Sequence, residues 1–251
     1  MRIIVDAFGG DNAPLEIIKG CAQAVKGLDI DITLTGREKE IRKVVQENGI
    51  SLERMEICDA PDVKTKQNSS MGVGLRLLAE GKGDAFVSGG NSGALVVGAT
   101  LLVKRIKGVR RIAFAPVMPK REGGFMLIDS GANVDCKPEM LQQFGIMGSI
   151  YMEKVMGIQN PRVALANVGV EDHKGGELQH APFSLLKNSG LNFIGNIEGR
   201  DLLLGKADVV VCDGFVGNVV IKTLEGAAMF IARAVVKEFS RLPAVFDKLD
   251  Y

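Results

Sequence analysis

The sequence has no tryptophan, only two tyrosines and two histidines, and only four cysteines among 251 residues. The cysteines stand singly at positions 21, 58, 136 and 212. None forms the C-x-x-C pair that zinc ribbons and thioredoxin-type redox sites require. Both kinds of site are therefore excluded, and without a neighbouring histidine none of the four is predicted to act as a nucleophile.

An excess of charge of either sign is also missing, because 31 Lys and Arg residues balance 30 Asp and Glu residues. Nucleic-acid binders normally present a basic face, so we predict no nucleic-acid partner. No uncharged apolar run is long enough to span a bilayer, and residues 1–6 are typical of a strand rather than of a signal peptide. We expect a reduced, cytoplasmic protein.

Hydrophobic residues make up 46% of the chain, enough for a substantial core. Short apolar runs alternate with amphipathic helical segments, which is typical of an α/β fold. We predict a three-layer sandwich with one mainly parallel sheet, as a single domain over residues 1–251. Residues 112–117 and 124–128 are expected to pair as antiparallel strands, and helices are expected at residues 182–187 and from residue 217 onward.

The most informative stretch is Val-Ser-Gly-Gly-Asn-Ser-Gly-Ala-Leu at residues 87–95. It joins a predicted buried strand to a predicted buried helix. Glycines let the backbone approach a ligand, and free N–H groups at a helix start favour an anion. The stretch therefore predicts a polar, anionic ligand. The alternative is a glycine-rich turn that only caps a helix.

Four further strand ends carry similar polar, glycine-containing segments, at residues 6–12, 129–135, 167–171 and 213–218. In open α/β sheets, ligands bind outside the carboxyl ends of the strands. Five such ends predict one shared site.

These segments resemble, in order along the chain, the motifs of the bacterial phosphate acyltransferases of phospholipid synthesis. Residues 6–14 resemble the opening motif, with Phe8 where the family usually has Met, and residues 88–95 resemble the second, with Gly89 for Ala and Ser92 for Thr. Further matches lie at residues 129–135 with 138–139, 167–171 with 174–175, 192–201 and 207–226. The resemblance covers nearly the whole chain.

The resemblance implies transfer of a long-chain fatty acyl group from acyl carrier protein to inorganic phosphate. The acyl phosphate would then serve a membrane glycerol-phosphate acyltransferase. It further implies a fold similar to phosphate acetyltransferases and isopropylmalate-type dehydrogenases, a homodimer, and no cofactor or essential metal. The protein is expected to associate peripherally with the inner face of the cell membrane.

The family usually continues past the position of residue 251, into a glycine-rich segment and a His-Gly-Ser motif. We therefore expect residues 1–251 to lack the family's C-terminal segment. The apolar residues among charges at 242–251 are expected to lie on a bilayer or, alternatively, in a dimer contact.

Four residues are predicted to be catalytic: Lys174, Asn91, Asn133 and His173. Lys174 lies in a glycine-flanked loop and can offer a positive charge to phosphate or to the oxyanion, although a solvated loop lysine is the alternative. His173 can protonate the leaving thiolate, and His180 is the only other histidine. Asparagines can donate hydrogen bonds without adding charge, or can instead cap helices and close Asx turns.

Substrate-binding residues are predicted at all of these strand ends: Asp6, Gly9, Gly10, Asp11, Ser88, Gly89, Gly90, Ser92, Gly93, Gly131, Asn167, Glu171, Asn196, Asp213, Gly214 and Asn218. The carboxylates among them conflict with a phosphate ligand. We expect them to orient Lys174 or cap helices, with magnesium binding as the alternative. No metal site is predicted.

Two other functions remain open from the sequence. A nicotinamide-dependent dehydrogenase of similar fold would require a strand–GxGxxG–helix unit with an acidic residue at the ribose spacing, which is missing. A non-catalytic membrane-surface scaffold for acyl carrier protein is the second. Phosphate-dependent release of thiol from the carrier would separate the acyltransferase from both.

Overall fold

The computed structural model describes residues 1–60 and 68–239, with side chains as far as Val236. The chain divides into two compact units, Met1–Gly108 and Val109–Tyr251, each with its own sheet. The predicted α/β class with mainly parallel strands is confirmed. The sequence predicts one sheet where the structure has two, because the order of strands is set by tertiary packing rather than by local pattern. That residues 1–251 act as one domain stays a prediction.

The first unit alternates strands and helices throughout. Its elements are β1 (Arg2–Asp6), α1 (Leu15–Gly27), β2 (Asp31–Gly36), α2 (Glu38–Glu47), β3 (Met55–Asp59), α3 (Ser70–Ala79), β4 (Ala85–Val87) and α4 (Ser92–Gly98), which a π-helical turn at Ala99–Val103 extends. The four strands are parallel in the order β3-β2-β1-β4. The carboxyl ends of β1 and β4 are therefore neighbours.

Helices cover both faces of this first sheet. On one face α1 and α2 bury Ile18 and Ile41 against β1 and β2. On the other, α3 packs on β1 and β2. Ser69 caps α3, since its hydroxyl accepts a hydrogen bond from the Gly72 N–H at 3.1 Å.

The second unit has a five-stranded sheet with the order β5-β6-β9-β7-β8. Its elements are β5 (Val117–Pro119), β6 (Gly124–Ile128), α5 (Pro138–Lys154), β7 (Val163–Ala166), α6 (Glu177–Lys187), β8 (Phe193–Ile197), a 3-10 turn at Gly199–Asp201, β9 (Val209–Val211) and α7 (Gly214–Phe239). Only the β5–β6 pair is antiparallel.

Alternating side chains on β6 fill two separate cores. Met126 and Ile128 join the cluster under α5 and α6, while Phe125 and Leu127 join the cluster under α7. Because successive side chains of a strand point to opposite faces, a strand buried on both faces is apolar throughout. The unit is thus a three-layer sandwich, and packing on both faces of the sheet fixes the positions of the strand ends.

Three elements of this unit differ from the sequence prediction. Residues 112–116 lie outside any strand, although the Pro116 carbonyl accepts from the Leu127 N–H at 3.1 Å. Helix α6 begins at Glu177, five residues before Pro182, and α7 begins at Gly214. Proline was expected at the start of α6, where its missing N–H costs nothing, but it lies inside the helix.

Helix α7 is covered only along its first part. From Glu225 to Val236 every described side chain is exposed. None of the described helices combines the length and the apolar character needed to cross a bilayer. The tail at residues 242–251, expected to contact a membrane or a second copy, lies outside the described residues.

Candidate functional site

In the first unit, the ends of β1 and β4 are joined through Asp6. This carboxylate is only 2% exposed, and it accepts hydrogen bonds from the Ser88 hydroxyl at 2.8 Å and the Phe8 N–H at 3.1 Å. The Ser88 oxygen accepts in turn from the Gly90 N–H at 3.1 Å. The sequence expectation that these two segments meet is thereby confirmed within this unit.

Two glycine-bearing turns pack against each other beside Asp6. A methyl group on Gly9 would lie 2.6 Å from the Ser88 hydroxyl oxygen and 2.8 Å from the Gly90 nitrogen, so no side chain fits there. Gly10 adopts a φ of +123°, which favours glycine. The glycines therefore let backbone approach backbone here.

Asn91 caps α4, as the alternative interpretation of the sequence expected. Its side-chain oxygen accepts from the Ala94 N–H at 2.8 Å. That bond uses the oxygen and leaves the amide N–H groups without a hydrogen-bond partner among the described residues. Ser92, Gly93 and Asp11 are exposed. A catalytic role for Asn91 stays a prediction.

In the second unit, Asp129 organises the segment that follows β6. The carboxylate is fully buried and accepts five hydrogen bonds. Four come from main-chain N–H groups and one from the Asn133 side-chain amide, at 2.6 to 3.2 Å; the main-chain donors are Phe114, Gly131, Ala132 and Asn133. Five neutral donors thus replace the water that this charge has lost.

Asn133 and the start of α7 are fastened to the same segment. The Asn133 amide also donates to the Ile112 carbonyl at 2.7 Å, and the Asn133 carbonyl accepts from the Gly214 N–H at 2.8 Å. Asp213 accepts from the Val216 N–H at 2.9 Å and so caps α7. Asn218 lies beside Gly131, and its amide has no hydrogen-bond partner among the described residues. Of this group, Asn218 is the freest to meet a ligand.

Residues 168–176 follow β7 and form the lysine loop. The Asn167 amide donates to the Lys174 carbonyl at 2.9 Å, and the Asn196 amide donates to the Glu171 carbonyl at 2.8 Å. Asn196, predicted to bind substrate, is buried inside β8 with 8% exposure. Both asparagines therefore hold loop backbone.

The ammonium group of Lys174 has no hydrogen-bond or ion-pair partner among the residues that the structure describes, and the side chain is exposed. His173 is exposed beside it, and its carbonyl lies 3.0 Å from His180 Nε2, a contact that needs the proton on that nitrogen. His180 also lines a cavity of about 630 Å³ with Pro138, Glu177, Leu178 and Ala181. The lysine loop thus contacts, through the His173 carbonyl, a histidine that lines this cavity.

Large apolar side chains stand exposed in the same carboxyl-end loops. Val134 is 62% exposed, Val168 is 80%, and Phe215 is 62%. Each directly follows a predicted site residue, respectively Asn133, Asn167 and Gly214. A fourth, Val170, lies within the lysine loop. An exposed apolar patch bordered by polar groups marks an interaction surface, and these four side chains are the candidates for one.

Cys136, in the segment that follows β6, is not activated. Burial raises the pKa of Cys136 to about 11, so at neutral pH the group is a thiol rather than a thiolate. Across residues 1–60 and 68–239, no three His, Cys, Asp or Glu side chains converge to hold a metal ion.

The predicted site residues therefore fall into two groups, one in each unit. Asp6, Gly9, Gly10, Ser88, Gly89 and Gly90 lie together at the ends of β1 and β4. Those of the second unit follow the neighbouring strands β6, β9 and β7 or, for Asn196, lie near the carboxyl end of β8. That all five strand ends build one site stays a prediction.

The model of the family described as "Fatty acid synthesis protein" matches residues 1–246. The chain belongs to this fatty acid synthesis protein family. Its curated relatives include the phosphate acyltransferase of Clostridium acetobutylicum, 45% identical over 96% of this chain and 76% of that protein. The phosphate acyltransferase of Thermoanaerobacterium thermosaccharolyticum is 47% identical over 96% of this chain and 74% of that protein. The chain is accordingly an acyltransferase.

Solved structures of similar fold are distant in sequence from this family member. EutD phosphotransacetylase from Staphylococcus aureus superposes with a TM-score of 0.69 at 18% identity, covering 91% of this chain and 82% of that one. A phosphotransacetylase from Streptococcus pyogenes gives 0.70 at 16% identity, with the same two coverages. These likenesses establish the fold, as the sequence predicts.

Two features of this family member's site were missed from the sequence. One is the role of Asp129 as the hydrogen-bond acceptor at the centre of its own segment. The signal was present, because Asp-Ser-Gly-Ala-Asn directly after a strand is a sequence in which the carboxylate can bind its own following N–H groups. The exposed apolar residues were missed because nothing in local sequence distinguishes an exposed Val168 from a buried one.

Proposed function

We propose that this chain transfers a long-chain fatty acyl group from acyl carrier protein to inorganic phosphate. A phosphate oxygen attacks the thioester carbonyl carbon, the carbon–sulfur bond breaks, and the departing sulfur takes up a proton. The products are acyl phosphate and the free thiol of the carrier. The observation that carries the proposal is the unpaired Lys174 at a sheet edge rimmed by exposed Val134, Val168 and Phe215.

Lys174 supplies positive charge in this reaction. Phosphate and the carbonyl oxygen both carry negative charge in the transition state, and a preorganised cation or N–H donor stabilises that charge. Asn218 is the neutral donor of the same unit. Asn133 is not, because its amide already donates to Asp129 and to the Ile112 carbonyl. In the first unit, the main-chain N–H groups of residues 89–93, with Asn91 and Ser92, are the candidates for holding phosphate.

His173 is the candidate proton donor to the leaving sulfur. An imidazole changes charge near neutral pH, which suits it to protonate a thiolate as the carbon–sulfur bond breaks. His173 is exposed and adjacent in sequence to Lys174. Its role is separable from that of the lysine, because a lost acid slows thiol release without weakening phosphate binding.

The acyl chain finds its contacts in the exposed apolar side chains. Burying apolar surface favours binding by about 25 cal/mol per Å², so a long chain gains more there than a short one. The sequence relatives named phosphate acyltransferase support the acceptor. We further propose a homodimer at the inner face of the membrane, which hands acyl phosphate to a membrane glycerol-phosphate acyltransferase.

The test is to incubate the chain with long-chain acyl carrier protein, with and without phosphate, and to trap acyl phosphate with hydroxylamine. We expect product only when phosphate is present. Lys174→Ala should lower kcat/KM by about 100-fold or more, as loss of one oxyanion donor does. Lys154→Ala, an exposed lysine paired with Glu153 far along α5, is the matched control.

Thiol release that does not require phosphate would contradict the proposal. So would full activity of Lys174→Ala together with full activity of Asn91→Ala. A scaffold would bind the carrier without releasing thiol, and a dehydrogenase would require a nicotinamide cofactor.

A further inference from the structure

We propose that Asn167 and Asn196 are positioning residues, which hold the lysine loop so that Lys174 is presented to substrate. The inference rests on the proposed function, since the position of the Lys174 ammonium group matters only if that group contacts phosphate or the thioester carbonyl. It replaces the direct substrate contact that the sequence predicts for both asparagines.

The first support is the position of the two anchors. Asn167 directly follows β7 and Asn196 lies inside β8, so both start from the rigid sheet. They bind the carbonyls of Lys174 and Glu171, which bracket a single turn closed by the Lys174 N–H to the Glu171 carbonyl at 3.1 Å. The backbone of the lysine is thereby fixed on both sides of the turn.

The second support is how the lysine side chain leaves that turn. A methyl group on Gly169 would lie 3.1 Å from Lys174 Cγ and 2.8 Å from Glu171 Oε2. The aliphatic stem of Lys174 therefore lies against the bare backbone of Gly169. Gly175, with a φ of +89°, packs against the Asn167 side chain from the other side. These contacts fix the first part of the Lys174 side chain on the loop backbone.

The third support is a buried, unpaired polar atom in the side chain of Asn196. Its side-chain oxygen is buried and has no hydrogen-bond partner among the described residues. A buried polar atom without a partner is destabilising, and an apolar residue of the same shape would avoid that loss. An apolar residue could not donate the hydrogen bond to the Glu171 carbonyl, which explains why asparagine is found at this position.

A double-mutant cycle in the acyl transfer assay tests the inference. Asn167→Ala should lower kcat/KM for phosphate by about 10–100-fold, because a small misplacement of a reacting group has effects of that size. In a Lys174→Ala background, the same substitution should change kcat/KM less than about twofold, since residues that act as one unit are not additive. Fully additive losses would overturn the inference, because they require Asn167 to act on substrate directly.

Asn188→Ala is the matched control. Its amide donates to the Ser184 carbonyl at 2.9 Å, the same bond as at Asn167, but at the end of α6. Activity should be unchanged there. Asn196→Ala should repeat the Asn167→Ala result, and if it fails to fold, the Asn167 cycle decides alone.

Amide hydrogen exchange gives a readout that is independent of activity. Asn167→Ala should accelerate exchange of the Lys174 N–H, which closes the turn, and leave the N–H groups of β7 protected. Unchanged exchange in the lysine loop would overturn the inference even if the chain proved inactive. A wild-type chain without phosphate-dependent product would instead refute the proposed function, so the two failures are distinguishable.

Discussion

The second sheet buries one aspartate at the carboxyl ends of its strands, the carboxyl edge, and another at their amino ends, the amino edge. The two carboxylates are stabilised by different kinds of partner. At the carboxyl edge, Asp129 is satisfied by five neutral N–H donors, and the nearby Lys174 is unpaired among the described residues. At the amino edge, Asp208 precedes β9 and pairs with two cations. Lys120 donates to it at 2.6 Å and Arg162 at 3.0 Å.

At the amino edge one ion pair is buried. The side chains of Lys120 and Asp208 are each 7% exposed. Burial alone would raise the pKa of Asp208, but hydrogen bonds from Arg162 and Lys120 outweigh it and hold that pKa well below its usual range. Lys120 and Arg162 pair with a buried carboxylate and so contribute to stability. Lys174 has no such partner among the described residues and is available to a substrate.

The largest expected effect is at the amino edge. Asp208→Asn leaves Lys120 buried without its counter-charge, and breaking a buried pair in this way costs about 3–5 kcal/mol. We expect a loss of that order in the free energy of unfolding by urea. Asp172→Asn, in an exposed pair with Lys187, should cost less than about 1 kcal/mol. Equal small losses at both sites would remove the distinction between the edges.

Lowering the pH should remove the difference in the free energy of unfolding between the wild type and Asp208→Asn. A depressed folded-state pKa contributes stability that is present above the unfolded value, about 3.9 for Asp, and is lost as pH falls through the folded value. The stability gap measured at pH 7 should therefore persist to about pH 4 and shrink below it. A gap that widens on acidification would contradict the assignment.

Asp129→Asn should have a smaller effect on stability. An asparagine amide nitrogen would face N–H donors that now meet a carboxylate oxygen, and an unsatisfied buried donor costs about 1–3 kcal/mol. Asp135→Asn, exposed in the same segment, is the control. If Asp129→Asn proved harmless, the five hydrogen bonds would not be what orders this edge.

The smallest effect is expected at Phe215. Replacement by alanine removes part of an exposed apolar surface, worth about 1 kcal/mol to a bound chain. We expect kcat/KM to fall about fivefold for a long-chain acyl donor and to stay unchanged for a short one. Phe230→Ala, 73% exposed on the distal part of α7, is the control. Equal losses with both donors would rule out acyl contact.

The sequence predicts well what depends on local pattern. Strands β6 and β9 are apolar throughout because both of their faces are buried, and the polar residues that follow them mark the carboxyl edge. The amino-edge cluster escaped prediction because Lys120, Arg162 and Asp208 are far apart in the sequence. Each, taken alone, is typical of a solvated turn.

Asparagine roles show where sequence reasoning stops. Asn91 caps a helix, Asn133 and Asn167 hold backbone carbonyls, and Asn218 has no partner among the described residues. Nothing in composition separates these cases, since the same amide serves each purpose. What separates them is which carbonyl lies within about 3 Å, and that depends on the packing of neighbouring strands.

The most direct test compares Lys174→Ala with Lys120→Ala in two measurements, melting temperature and acyl phosphate formation. The account predicts that Lys174→Ala keeps the wild-type melting temperature and loses activity. Lys120→Ala should melt several degrees lower, yet retain the wild-type kcat per folded molecule. The opposite pattern, with Lys120 needed for turnover and Lys174 for stability, would contradict the claim that unpaired charge marks the site.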